Sequence, residues 1–551
     1  MTKKSNIYAK VWGLSLLSAV LLSIPFLFPH CGLISLFAFV PLFMAEDIVS
    51  RENKRHFNLV VYVSFLVWNL LATFWVYFAT VPGAIAAFVL NTLQMTIIFA
   101  LFRWMKKVTK GYLPYLFFCF AWVAWEHLYF TWQISWPWLV LGNSFATSIK
   151  NIQWYEYTGT VGGSFWILLV NTLMFRTIKL ISEKQRSILS ILSLAVLIIA
   201  PIIVSHIIFS NYKEESDPVN VAILQPNIDP YKAKFSVSQN EQDKILLSLA
   251  DSSLNKIKGN VLLLAPETFL SPVSWRTRIE ENTPGRNSNF VKFSNFVKDN
   301  SDSLRKADFI VGAVTCLEYH QQEQPTVTSR KMPSGWYDNF NTAIMLTKRD
   351  SLVSSEFYHK SKLVILAESN PFLQGPFKFM GSLVYDIAGG VGNFGTQLER
   401  EVFNFSDNKA GTAICYESVY GDFYREWVLN GAEFMTIITN DGWWRDTPGH
   451  KQHLHYASLR AIETRRSIAR CANTGISAFI NQRGEIVSKT QWWERCYLTG
   501  TLNKAYHKTV FVQWGDITGR ISVFLFWMFL ILGTVRKLSK KRARIKIVGQ
   551  L

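Results

Sequence analysis

The chain has 551 residues, of which 49% are hydrophobic and 17% charged, and it carries a formal net charge of +18. Six cysteines at that length exclude a disulfide-stapled scaffold, and eight apolar runs with almost no charge inside them exclude an ordinary globular core. The positive charge would suit nucleic acid if it formed one patch, but it lies between the apolar runs, so it reads as membrane topology and no nucleic-acid partner is expected.

Seven apolar runs fill the first 210 residues, at about 11–29, 32–45, 57–77, 84–102, 112–131, 157–175 and 188–209. An eighth follows at about 519–535. Most approach the roughly 20 residues that cross a hydrocarbon core, and 32–45 is short enough for a tilted or re-entrant piece. The first run follows Lys3, Lys4 and Lys10 and ends in Pro25-Phe26-Leu27-Phe28-Pro29-His30. It has no small-residue cleavage site, so a retained anchor is expected.

Lys and Arg fall on alternate connections. Segments 1–10, 46–56, 103–111, 176–186 and 536–551 hold 21 of them against four acids, Glu46, Asp47, Glu52 and Glu183. The stretch 112–175 carries only Lys150, Glu126 and Glu156. The positive-inside rule then predicts about eight transmembrane helices with both termini in the cytoplasm. The tail Lys540-Lys541-Arg542-Ala543-Arg544 reads as a topology signal or a contact to anionic lipid. The expected organisation is a seven-helix transmembrane domain over 1–210, an extracytoplasmic domain over 211–515, and a final helix with a basic tail over 516–551.

Within the large polar region, strand-like runs recur at Val219–Leu224, Val261–Ala265, Phe309–Val314, Thr342–Leu346, Thr412–Tyr416, Phe434–Thr439, Ile476–Ile480 and Ile486–Lys489. Helical patterns lie at Glu241–Asn255 and His453–Arg470. Strands alternating with helices predict an α/β domain of packed layers. The polar loops 282–305 and 317–336 are the expected mobile pieces.

Cys31 and Cys119 lie in or beside apolar runs, and Cys316, Cys415, Cys471 and Cys496 lie in the outer domain, where oxidation is possible. With Cys415 as a nucleophile, at most one bridge forms among the other three. His450, His453 and His455 lack metal spacing and read as a loop leading into a helix, so neither metal nor cofactor is expected. Glu463, Arg466 and Arg470 have the i, i+3 and i, i+4 spacing of ion pairs along one helix face.

Three residues at strand ends fit one chemistry: Glu267 in Ala265-Pro266-Glu267-Thr268, Lys360 in Tyr358-His359-Lys360-Ser361, and Cys415 in Ile414-Cys415-Tyr416-Glu417. A thiol attacks as thiolate, so it needs a base or a cation nearby. A carboxylate can take the proton and return it, and a lysine can stabilise an oxyanion.

In this order and context, the three segments resemble the Glu-Lys-Cys sites of the nitrilase, or carbon–nitrogen hydrolase, superfamily. Further matching pieces are Gln225-Pro226-Asn227-Ile228, Asn341-Thr342-Ala343, Glu368 eight residues after Lys360, and Thr439-Asn440-Asp441-Gly442-Trp443-Trp444. The tightest is the run from His453 through Ala457, Arg460, Ala461, Glu463, Arg466, Arg470 and Asn473 to Gly475. With the apolar runs and Pro137-Trp138-Leu139-x-Leu141-Gly142, the chain resembles the membrane-bound apolipoprotein N-acyltransferase branch of that superfamily. Ile365-Leu366-Ala367 departs from a small, turn-prone family segment, and Phe235 stands near where the family tends to place a tryptophan.

The resemblance implies an αββα sandwich and a two-step transfer. Cys415 takes an acyl chain from a phospholipid as a thioester and passes it to the free amine of a diacylglyceryl apolipoprotein cysteine. It implies Glu267 as base and acid, and Lys360 at the oxyanion, with a backbone N–H after Cys415. Glu368 would orient Lys360, and Tyr416 and Glu417 would support the turn. Trp443, Trp444 and Phe235 are candidates for the substrate path, although the tryptophans fit interfacial anchoring equally well. It also implies a monomer in the inner membrane of a Gram-negative-type bacterium, with the catalytic domain in the periplasm. The alternative is a membrane-tethered amidohydrolase using the same triad.

Overall fold

The computed structural model describes residues 2–52, 56–132, 135–231, 236–274, 288–319, 323–370 and 393–548. The chain divides into two compact units, one of Met1–Phe74, Ala84–Asn211 and Trp514–Leu551, the other of Trp75–Gly83 and Tyr212–Gln513.

The first unit is helical, and each apolar run contains a helix: Thr2–Leu27, Val40–Arg51, Phe57–Thr73, Val81–Val108, Leu113–Tyr129, Tyr155–Ser182, Ile188–Asn211 and Ile517–Val548. Among the described residues six stretches are long and apolar enough to cross a membrane, and Phe57–Thr73 and Leu113–Tyr129 are shorter, at 17 residues each. The short run 32–45 is broken, a 3₁₀ turn Gly32–Leu36 leading into Val40–Arg51. Such a break leaves backbone groups that lipid cannot satisfy. Asn171 supplies the partners: its Oδ1 accepts Phe39 N–H at 2.8 Å and its Nδ2 donates to Ser35 O at 2.8 Å. Phe39, Phe43, Phe118 and Trp122 then pack edge-on around the break, with ring centroids between 5.2 and 5.9 Å for the Phe39–Trp122, Phe39–Phe118 and Phe43–Phe118 pairs.

The second unit is built on two sheets. The first seven strands, β1 (Pro218–Gln225), β2 (Val261–Leu264), β3 (Leu270–Ser274), β4 (Ala307–Tyr319), β5 (Arg330–Met332), β6 (Gly335–Arg349) and β7 (Leu352–His359), form one sheet. The next six, β8 (Val402–Phe405), β9 (Asn408–Ile414), β10 (Phe434–Thr439), β11 (Ile468–Ala472), β12 (Ala478–Ile480) and β13 (Ile486–Lys489), form the other. The last, β14 (Cys496–Asn503), returns to pair antiparallel with β1. The central β2 and β10 are buried along their whole length and pair parallel with neighbours, so they read as continuous apolar runs. The sheets face one another: the Cys471 thiol of β11 reaches the carbonyls of Leu224 at 3.2 Å and Leu264 at 3.3 Å in the other sheet. Helices Gln239–Leu254 and Ser288–Asp299 cover the first sheet, and Gly421–Leu429 and Pro448–Thr464 cover the second, giving the αββα order.

Three local expectations need correction. The segment 288–299, expected to be loop, is a helix because Phe293 and Val297 bury completely in the core of the first sheet. Parts of 317–336 are strand: Leu317–Tyr319 end β4, Arg330–Met332 form β5 and Gly335–Trp336 open β6, with Gly335 at φ 144°. The helix expected over His453–Arg470 spans Pro448–Thr464 and stops at Arg465, which takes the left-handed φ of 49°. His450, His453 and His455 therefore all lie on the helix, and Arg470 lies on β11, where Arg470 and its strand neighbours are buried.

Candidate active site

Glu267, Lys360 and Cys415 each follow a strand. Glu267 sits just past β2, where the chain crosses Gly312 of β4 so closely that a Cβ there would lie 2.4 Å from Pro266 O and 2.6 Å from Glu267 Cα. Glycine is required at that crossing. Lys360 follows β7, its N–H donating to Asn341 O of β6 at 2.8 Å. Cys415 opens a 3₁₀ turn, Cys415–Val419, with φ 52°. A left-handed non-glycine residue costs about 1–2 kcal/mol, and strain of this kind needs surrounding contacts to hold it.

The structure brings these residues into one buried cluster. Lys360 Nζ donates to Glu267 Oε1 and to Glu368 Oε1, both at 2.9 Å. Asn341 Nδ2 donates to the same two oxygens at 2.8 and 2.9 Å. Glu267 Oε2 accepts the Asn440 N–H at 3.2 Å. Burial opposes the charge on Lys360, but the two carboxylates outweigh it and hold the ammonium well above its ordinary range. Burial, with the Glu267 charge, pushes the Cys415 thiol well up, against the pull of Lys360. The resting sulfur therefore keeps its proton, and reaction requires a base to remove it.

Glu368 reaches Lys360 despite the unusual Ile365-Leu366-Ala367. Leu366 takes the left-handed φ of 59°, Glu368 N–H returns to Val364 O at 2.8 Å, and Glu368 Oε2 accepts Val364 N–H at 2.8 Å. Glu417 is wholly buried and ties the site together. Its Oε2 accepts Ile414 N–H at 2.8 Å, and its Oε1 accepts Ser361 N–H and Tyr358 O–H, both at 2.7 Å. Tyr416 is buried in the turn, edge-on to Tyr420 at 5.2 Å.

The two tryptophans diverge. Trp444 meets His453 edge-on at 5.4 Å and Trp75 at 4.7 Å, next to the Cys415 turn. Trp443 packs on Tyr231 at 5.4 Å, and its carbonyl accepts the Tyr231 hydroxyl. Phe235 lies outside the described residues. The ion-pair face expected of Glu463, Arg466 and Arg470 dissolves: Glu463 pairs with Arg460, Arg466 donates to Ala432 O and His507 O, and Arg470 pairs with Asp441. Asn341, Asn440, Thr439 and the Asp441–His453 pair complete the site. The sequence offered Asn341, Asn440 and Asp441 only as family-like segments, because their partners lie on other strands. All six cysteines are free, and among the described residues no group of three or more His, Cys, Asp or Glu could hold a metal.

Residues 220–510 match the carbon-nitrogen hydrolase family, and with that match over half of its length the chain belongs to it. Residues 18–173 match the apolipoprotein N-acyltransferase N-terminal domain, which places the chain in the membrane-bound acyltransferase branch of that family. The chain is 27% identical to an apolipoprotein N-acyltransferase of Chlorobaculum tepidum over 549 residues, 97% of this chain and 98% of that one. It is 22% identical to that of Geobacter metallireducens over 518 residues, covering 92% and 91%. It is 23% identical to apolipoprotein N-acyltransferase 1 of Treponema denticola over 558 residues, covering 96% and 98%.

Proposed function

We propose that this enzyme N-acylates the terminal diacylglyceryl cysteine of apolipoproteins, with a phospholipid as donor and Cys415 as carrier. The observation that carries the reading is Lys360 held at 2.9 Å by both Glu267 and Glu368, in the same buried field as a protonated Cys415 thiol. Glu267 takes the thiol proton, and the thiolate attacks the phospholipid ester carbonyl. Lys360 and the Tyr416 N–H face the oxyanion. The lysophospholipid oxygen leaves with the proton from Glu267, and the acyl group stays on sulfur. The lipoprotein amine then attacks the thioester, gives its proton to Glu267, and releases Cys415, which is reprotonated. Glu368 keeps Lys360 charged and oriented, and Glu417 holds the turn. The amide product is more stable than the thioester, which drives the second step.

The charge pattern supports a catalytic domain over 211–515 on the periplasmic side of a multi-pass inner-membrane protein. Segment Trp75–Gly83, between two apolar helices, has no charged residue and belongs to the catalytic unit, as an extracytoplasmic loop should. Its Trp75 Nε1 donates to Gln452 at 3.3 Å. The membrane helices favour this reading over a tethered amidohydrolase, because a small soluble amide gives no reason for them. Purified protein in detergent, given a phospholipid and a diacylglyceryl peptide, should raise the peptide mass by one acyl chain. Hydrolysis of a small amide with no acylated peptide formed would favour the hydrolase.

A further inference from the structure

Beneath Cys415 lies a second buried cluster that the reaction as written does not use. His453, Asp441 and Arg470 are all 0% exposed. His453 Nε2 lies 3.2 Å from Cys415 O and 3.0 Å from Ser418 Oγ, whose hydroxyl donates to Cys415 O at 2.7 Å. A carbonyl only accepts, so the contact to Cys415 O is a hydrogen bond in the tautomer that carries the proton on Nε2. On its other side Nδ1 lies 3.0 Å from both Asp441 Oδ1 and Arg470 Nη2. With Nε2 protonated, Nδ1 can accept from the Arg470 guanidinium. Thr439 Oγ1 donates to Asp441 Oδ1 at 2.7 Å, and Arg470 donates to Asp441 Oδ2, so the ring is fixed from behind.

The Cys415–Tyr416 peptide is trans, and in a trans peptide the C=O and N–H point in opposite directions. Gripping the carbonyl on the His453 side turns the Tyr416 N–H the other way, out of the cluster. Cys415 has the left-handed φ of 52°, uncommon for a residue other than glycine, so surrounding contacts must hold the backbone here. We propose that His453, seated on Asp441 and Arg470, is a positioning residue that fixes the Cys415–Tyr416 peptide so that the Tyr416 N–H serves as the second oxyanion donor beside Lys360. This rests on Cys415 being the nucleophile.

The test uses full-length protein in detergent with a phospholipid carrying an alkyne-tagged acyl chain and a diacylglyceryl peptide. Acyl transfer needs the oxyanion donor, whereas alkylation of Cys415 by iodoacetamide needs the thiolate and no oxyanion donor. Losing one such donor costs on the order of 10²–10³ in kcat, so misorienting it should cost roughly 10- to 100-fold. His453→Leu is expected to lose that much kcat for transfer while Cys415 alkylates within about threefold of wild type and buried Cys471 stays unlabelled. His453→Gln, which keeps an N–H at the Nε2 position, should recover most of the rate. Should Leu expose Cys471, His453→Asn replaces it in the comparison, since its amide is too short to reach the carbonyl. Transfer near wild type in the donor-less variant overturns the proposal. So does a parallel fall of transfer and alkylation, or a Gln variant no better than the donor-less one. Cys415→Ala, assayed alongside, separates the two readings: transfer retained there defeats the nucleophile itself, whatever His453 does.

Discussion

Glu417 Oε1 accepts the backbone N–H of Ser361 at 2.7 Å, joining the residue after Lys360 to the turn that carries Cys415. The two sheets thus share one buried carboxylate at the site, and its other oxygen holds the last strand residue before the nucleophile, Ile414, at 2.8 Å. Cys415 and Lys360 are held in register through the side chain of a third residue. Glu417→Gln replaces one acceptor by an NH₂ facing an N–H donor. A buried unmet donor costs about 1–3 kcal/mol, so thermal unfolding should shift down by several degrees and acylation should slow, both read on the purified protein.

Glu267→Gln should abolish base catalysis while leaving the fold. Because the resting thiol keeps its proton, acylation is expected to fall by about 10²–10⁴. The same substitution removes the like charge that raises the thiol, so iodoacetamide alkylation of Cys415 should not slow. Equal losses in both assays would argue against the base role.

Removing Lys360 leaves buried Glu267 and half-buried Glu368 without their shared cation. Breaking a buried pair costs about 3–5 kcal/mol, so Lys360→Met should be both inactive and strongly destabilised, as judged by thermal melts. Lys360→Met combined with Glu368→Gln should regain part of the stability and none of the activity.

Asp441 links the site to acid stability. Burial opposes its charge, yet Arg470 and His453 hold its carboxyl well below the ordinary range. An unfolded carboxyl titrates near about 3.9. The folded chain therefore binds fewer protons there, and the contribution is full above that pH and is lost as pH falls below it. Asp441→Asn should lower the melting temperature at neutral pH and flatten its decline in acid.

Glu267 and Cys415 were legible because each follows an apolar strand, and a strand end is where buried backbone delivers a side chain to an edge; Lys360 was legible only through the family-like segment around it. β2, β10 and β13 were readable for the same reason, as apolar or alternating runs. β7, Leu-Val-Ser-Ser-Glu-Phe-Tyr-His, was not, because most of it is only half-buried and its polar residues mask the pattern. Arg470 was misread because Glu463, Arg466 and Arg470 keep helical spacing across a helix that has already ended at Arg465. His453 hid for a different reason: its partners Cys415 and Asp441 come from two other segments, and no local pattern records such a meeting.

The most direct measurement is the mass of the Cys415 peptide after incubation with phospholipid and no acceptor. The account predicts an increment of one acyl chain on Cys415, labile to hydroxylamine, which disappears as a diacylglyceryl peptide is added and gains the same mass. An acylated peptide formed with no Cys415 adduct at any time, or formed equally by Cys415→Ala, would contradict it.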